Sequence, residues 1–125
     1  MVYQLKLKRI YEPPAREDGK RILVDRLWPR GVKKEQTRLD EWMKEVAPSP
    51  ELRRWFGHRP DRFEKFRVLY RKELATDPGC RQWVDRICRY LQEDHVTLLY
   101  AAKDPIHNHA AVLREWVKNQ CLDNP

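Results

Sequence analysis

Apolar and polar positions divide the chain into short strands and amphipathic stripes. Residues 3–10 alternate, with Tyr3, Leu5 and Leu7 against Gln4, Lys6 and Lys8. That period of two predicts a half-buried strand at a sheet edge, where lysines discourage edge-to-edge pairing. Glu12–Lys20, with Pro13-Pro14 and Asp18-Gly19, reads as a loop. Arg21–Leu27 follows as a second strand. Its continuous run Ile22-Leu23-Val24 predicts burial on both faces, as in a parallel sheet. Thr37-Arg-Leu-Asp40 resembles a capping box, and Leu39, Trp42, Met43 and Val46 then keep helical spacing. Ser49-Pro50 opens the next helix and Gly57 stops it. Pro60-Asp61 opens another, with Phe63, Phe66, Tyr70 and Leu74 as its stripe. Asp77-Pro78 repeats the signal before Cys80, Val84, Ile87 and Leu91. Val96–Ala102 is a second continuous apolar strand. Asp104-Pro105 starts the last helix, with Ile106, Ala110, Leu113 and Val117 inward.

The order β, β, several helices, β, α predicts an α/β fold. The expected architecture is a small three-layer domain with a short, mostly parallel sheet flanked by about five helices, and residues 1–125 as one domain. Strands 21–27 and 96–102 are expected to be parallel neighbours, because a long helical connection separates them. Two fully apolar strands beside one alternating strand leave an apolar sheet edge. A fourth strand, a covering segment or an oligomer contact through that edge is needed to complete it.

Composition narrows the function classes. With 41% hydrophobic residues, 36% charged residues and five Trp, the chain is too aromatic for disorder and too charged for a membrane protein. No apolar stretch approaches the roughly 18 residues of a membrane span, and MVYQLKLKRIY has no signal-peptide core. Three cysteines, an odd number without CxxC spacing, point to a reducing compartment and so to the cytoplasm. Cys80 and Cys88, about 12 Å apart along one helix, are too distant to bridge; all three cysteines read as packed or tail residues. The net charge of +7 is uneven, and residues 53–72 carry eight basic side chains against two acidic ones. A nucleic acid or another polyanion is therefore permitted as a partner.

The chemistry concentrates in Arg21–Gly31, RILVDRLWPRG. Open parallel sheets bind ligands beyond the carboxyl ends of their strands. Arg26 and Arg30 leave such an end and suit bidentate recognition of phosphate or carboxylate. Alternatively, Asp25 pairs with one of them and braces the turn. Trp28 either stacks on a ligand ring or fills the core. Lys103 and Asp104 leave the other buried strand at the same edge, Asp104 first of all as a helix cap. Asp25, His107 and His109 are the groups able to move a proton there. His107 and His109, two apart on a helix, point about 200° from each other, so no metal site is expected. GxGxxG, GxxxxGK, GxSxG and zinc spacings are lacking, and no cofactor is expected.

DRLWPRG, LRRWFGHRPDRF and LLYAAKDPIHNHAAVL resemble the signature blocks of the YeaO-like bacterial proteins, in the family called domain of unknown function 488. The likeness runs from about Lys8 to Val117. It implies a small cytoplasmic α/β protein and carries no assigned activity. Larger relatives tend to have a cysteine on the final strand and a Cys-His-Arg near the last helix. This chain has Tyr100-Ala101-Ala102-Lys103 and His107-Asn108-His109 there, so thiol chemistry does not transfer.

Three readings remain. One is a small-molecule oxyanion site at the carboxyl edge, enzymatic or regulatory. A second is a nucleic-acid module on the basic, aromatic 53–72 surface, through stacking and phosphate contacts. The third is an interaction domain whose arginines only brace a turn.

Overall fold

The computed structural model describes residues 3–123. Its strands β1 (Leu5–Arg9), β2 (Lys20–Leu23), β3 (Glu41–Trp42) and β4 (Val96–Tyr100) form one sheet in the order β1-β4-β2-β3. Every pairing is parallel: Leu98 faces Leu7 on one side and Ile22 on the other, and Ile22 in turn faces Glu41. Helices α1 (Lys34–Thr37), α2 (Pro50–Phe56), α3 (Phe63–Thr76), α4 (Pro78–Tyr90) and α5 (His109–Asp123) connect and cover it. This is the small α/β fold that the apolar pattern predicts.

The alternation of a strand sends neighbouring residues to opposite faces. On one face Leu5, Ile22, Val96, Leu98 and Tyr100 join the stripes Phe66-Tyr70-Leu74, Cys80-Val84-Ile87 and Ala110-Leu113-Val117 in a single core. On the other, Leu23, Leu99 and Ile10 are covered by Trp28, Val32 and Leu39. That third layer is thin, made of connecting segments and the single turn of α1. Below it, at the amino end of β2, Arg21 is buried and donates to Asp18 Oδ2 at 2.6 Å and to the Thr37 carbonyl at 2.8 Å. Lys8 reaches the same carboxylate at 3.2 Å. Burial alone would raise Asp18, but the Ala15 N–H, Lys8 and Arg21 outweigh it and hold its pKa below the usual carboxylate value.

Several helix ends follow local chemistry. Ser49 Oγ accepts from the Leu52 N–H, Gly57 ends α2 in the left-handed region at φ 54°, and Asp77 caps α4 through the Gly79 N–H. Three expectations need correction. Residues 38–46 do not form one helix; only Lys44–Val46 make a single 3-10 turn. Thr37 closes α1 instead of opening one, its hydroxyl donating to the Lys34 carbonyl and accepting from the Leu39 N–H. Arg38 then turns left-handed at φ 49°, and Asp40 is laced to Arg21 by two 2.8 Å bonds, one from its backbone N–H and one to its carboxylate. The segment runs beside β2 as β3 and supplies the missing fourth strand. Trp42, expected in the core, is 36% exposed as a result.

The strands and the last helix are also shorter than the apolar runs. β2 ends at Leu23 and β4 at Tyr100. Asp104 does not start α5. Its Oδ1 accepts from the N–H groups of Ile106 and His107 in a separate turn, and Asn108 Oδ1 caps the helix through the Ala111 N–H. Ile106, expected inward, is 66% exposed. The third correction concerns the cysteines: Cys88 and Cys121 form a disulfide between α4 and α5, their Cα atoms 5.5 Å apart. Cys80 alone is free. The odd count concealed one pair, so it carries no argument for a reducing compartment. No helix of the described residues is long and apolar enough to cross a membrane.

Candidate functional site

Because every strand is parallel, all carboxyl ends open on one edge of the sheet. There a cavity of about 710 Å³ is walled by the segments following β2, β3 and β4, by α2 and by the start of α5. Of the residues singled out in the sequence, Asp25, Arg26, Trp28, Arg30, Lys103, Asp104 and His109 line it. His107 does not: its ring lies edge-on to Phe63, and its Nδ1 is 2.8 Å from Asp104 Oδ2.

The lining residues divide into committed and available groups. Arg26 donates from Nε to the Pro48 carbonyl and from Nη2 to the Ala47 carbonyl, both at 3.2 Å. It therefore braces the segment after β3 and keeps one amino group. Asp25 pairs with neither arginine, which corrects the proposed Asp–Arg brace. Its Oδ2 accepts from the Ala101 N–H at 3.1 Å and its carbonyl from the Trp42 indole at 2.6 Å, tying together the ends of β2, β3 and β4. Trp28 donates its indole N–H to the Val32 carbonyl at 2.8 Å and meets Trp42 edge-on. Asp104 is consumed by its turn. Two backbone N–H groups and His107 hold its pKa down at about 2, so its charge is already spoken for.

Asp25 also faces His109. His109 Nε2 is 3.3 Å from Asp25 Oδ1 and 3.0 Å from the Val24 carbonyl. The two side chains are only 16% and 17% exposed. Burial raises the Asp25 pKa and lowers that of His109, each opposed by the charge of the other. Both also feel Arg53 and His58.

Arg53 and His58 complete the wall, with Phe56 and Phe66 as an apolar floor stacked at 4.2 Å. The sequence offered them only as part of the basic 53–72 stretch. His58 carries one further signal, a left-handed backbone at φ 58° directly after Gly57. Among the described residues no hydrogen bond or ion pair engages the side chains of Arg30, Arg53, His58 or Lys103, although the Tyr11 hydroxyl donates to the Arg30 carbonyl at 3.1 Å.

The outward 53–72 surface is more occupied. The Arg62 guanidinium and Lys65 ammonium lie 5.3 and 5.7 Å from the Trp55 ring centre, Arg59 pairs with Asp61, and Arg67 pairs with Glu115. A smaller cavity of about 370 Å³ lies between Trp28 and Trp42. Its carboxylates are already engaged, Asp40 by Arg21 and Glu41 by Arg86. No cluster of three or more His, Cys, Asp or Glu among the described residues is placed to hold a metal ion. Cys80 is no nucleophile: burial pushes its thiol up to about 11.

Residues 4–124 match the family described as the inactive DUF488-N3 subclade. The chain belongs to that family. It is 44% identical over 115 residues to the uncharacterized protein YeaO of Escherichia coli strain K12, covering 92% of this chain and 97% of YeaO. It is 37% identical over 117 residues to an uncharacterized protein of Mycobacterium bovis, covering 94% and 96% of the two chains. An uncharacterized protein of Mycobacterium tuberculosis strain H37Rv matches to the same extent. No solved structure matches.

Proposed function

We propose that the protein binds a small anionic molecule in the cavity at the carboxyl edge of its sheet. One observation carries this reading: Arg30, Arg53, Lys103 and the free edge of Arg26 share a wall whose two carboxylates are already engaged. An excess of unspent cations over anions in a concave, partly apolar site favours an oxyanion. The amino end of α5 adds a favourable backbone dipole. Binding, regulatory or structural in consequence, is the role that the family description and the burial of the one free thiol, Cys80, support.

Thermal unfolding with phosphate, simple carboxylates and phosphorylated metabolites tests it. A ligand should raise the midpoint by mass action in the intact protein. Arg53→Ala should lose most of that gain, because Arg53 makes no bond that holds the fold. A rise that persists unchanged in Arg53→Ala and Lys103→Ala would place the anion elsewhere.

A further inference from the structure

The cations explain why an anion would enter the cavity. They do not explain His109, a half-hidden base in a positively charged wall. Its ring is anchored from the sheet side. Nε2 sits between two acceptors, the Val24 carbonyl at 3.0 Å and Asp25 Oδ1 at 3.3 Å. Two acceptors converging on one ring nitrogen require a proton there. In the neutral imidazole that proton assigns the other nitrogen, Nδ1, as a lone-pair acceptor. Among the described residues Nδ1 has no hydrogen-bond partner. It is also not sealed away, since the buried unpartnered side-chain atoms are Arg21 Nη2 and Asp25 Oδ1. His109 lines the cavity. The wall therefore offers one fixed acceptor among its donors.

We propose that the site selects oxyanions that carry a proton, inorganic hydrogenphosphate being the simplest, and that His109 Nδ1 receives their O–H. The Val24 carbonyl holds the tautomer, and Asp25, whose Oδ1 lies 3.3 Å from the same nitrogen, is a positioning residue that favours it by charge and does not touch the ligand. This deepens the anion-binding reading and rests on it. The physical reason is a mismatch of lone pairs. Sulfate is fully deprotonated near neutrality and meets Nδ1 as acceptor against acceptor, so both groups lose their water without compensation. Hydrogenphosphate turns the same contact into a hydrogen bond. A site built around such a bond rejects the analogue that lacks it far more strongly than a difference in size would. The ring must stay neutral for this to hold. Burial, the largest influence, together with His58 and Arg53 opposes its protonation and outweighs the Asp25 carboxylate and the bond to the Val24 carbonyl, while Tyr70 meets the ring edge-on at 6.4 Å.

The experiment compares four tetrahedral anions on the wild-type protein at pH 7.5 and matched ionic strength. Phosphate and arsenate keep an O–H at that pH; sulfate and selenate do not, and arsenate and selenate are the larger pair. Titration calorimetry should place phosphate and arsenate roughly tenfold or more tighter than sulfate and selenate. His109→Phe keeps a ring but no acceptor, and should bring the four affinities together. If that variant does not fold, judged by circular dichroism, the wild-type ranking alone decides. Affinities that follow size, or that are equal for all four, overturn the selection by proton and leave anion binding standing. Absence of binding by all four overturns the anion-binding reading itself.

Discussion

His109 Nε2 and Asp25 Oδ1 stand 3.3 Å apart across the end of the sheet, one on the first turn of α5 and the other just beyond β2. With the Val24 carbonyl at 3.0 Å, this contact pins the last helix to a strand 85 residues earlier. It also removes an ionisable pair from water, which makes stability depend on pH.

Burial lowers His109 below the ordinary imidazole value of about 6.5. Just below that value the unfolded chain takes up a proton that the native state refuses. Stability therefore rises with pH across the interval from the lowered value to about 6.5, and falls again on acidification. Asp25 works in the opposite sense: its raised value makes stability fall as pH climbs from about 3.9. Urea unfolding at pH 5.5 and 7.5 should show the wild type weaker at the lower pH. His109→Gln can still donate to Val24 but cannot titrate, so the difference should shrink to nearly nothing.

Phe66 tests the core. It is 1% exposed and stacks on Phe56 at 4.2 Å, between α2 and the sheet. Phe66→Ala should cost about 3–5 kcal/mol of unfolding free energy. A loss under about 1 kcal/mol would mean that α3 does not pack as described.

What was legible in the sequence is what local period encodes. The stripe from Phe66 to Leu74 and the runs at Ile22–Val24 and Val96–Tyr100 announce their elements, and parallel strands then bring Arg26, Arg30 and Lys103 to one edge. β3 was not legible. Two residues are too few to show a period, and Leu39, Trp42 and Val46 mimic a helix by chance. What makes them a strand is long-range, the bonds between Asp40 and Arg21. Arg53 and His58 were visible as charge but not as a wall, because only the return of α2 over the sheet edge carries them there. The contact between His109 and Asp25 likewise has no local trace.

The disulfide was equally hidden, since spacing excludes Cys80–Cys88 and says nothing about Cys121. Cys88 and Cys121 are 33 positions apart, and their link holds α4 against α5. Restricting the unfolded chain by a loop of that size stabilises by about 3–4 kcal/mol in the chain-entropy account. Adding a reductant should lower the urea midpoint accordingly. A protein carrying both Cys88→Ser and Cys121→Ser should match the reduced wild type and no longer respond to reductant. Buried Cys80 should remain unreactive in both until unfolding.

His58 offers a way to separate folding from binding. It follows Gly57 into the left-handed region, at φ 58° after φ 54°. Glycine accepts that conformation freely, whereas a side chain there crowds its own carbonyl, at about 1–2 kcal/mol. His58→Gly relieves the strain and loses part of the gain to the greater freedom of the unfolded chain. A net stabilisation of about 0.5–1 kcal/mol is expected. The same change takes an imidazole out of the cavity wall. If the strain is kept for the sake of the site, phosphate affinity should fall several-fold while the midpoint of unfolding rises. His58→Ala should lose the same affinity without the gain in stability. A glycine variant that is more stable and binds phosphate as well as the wild type would show that the turn at 57–58 serves only to join α2 to α3.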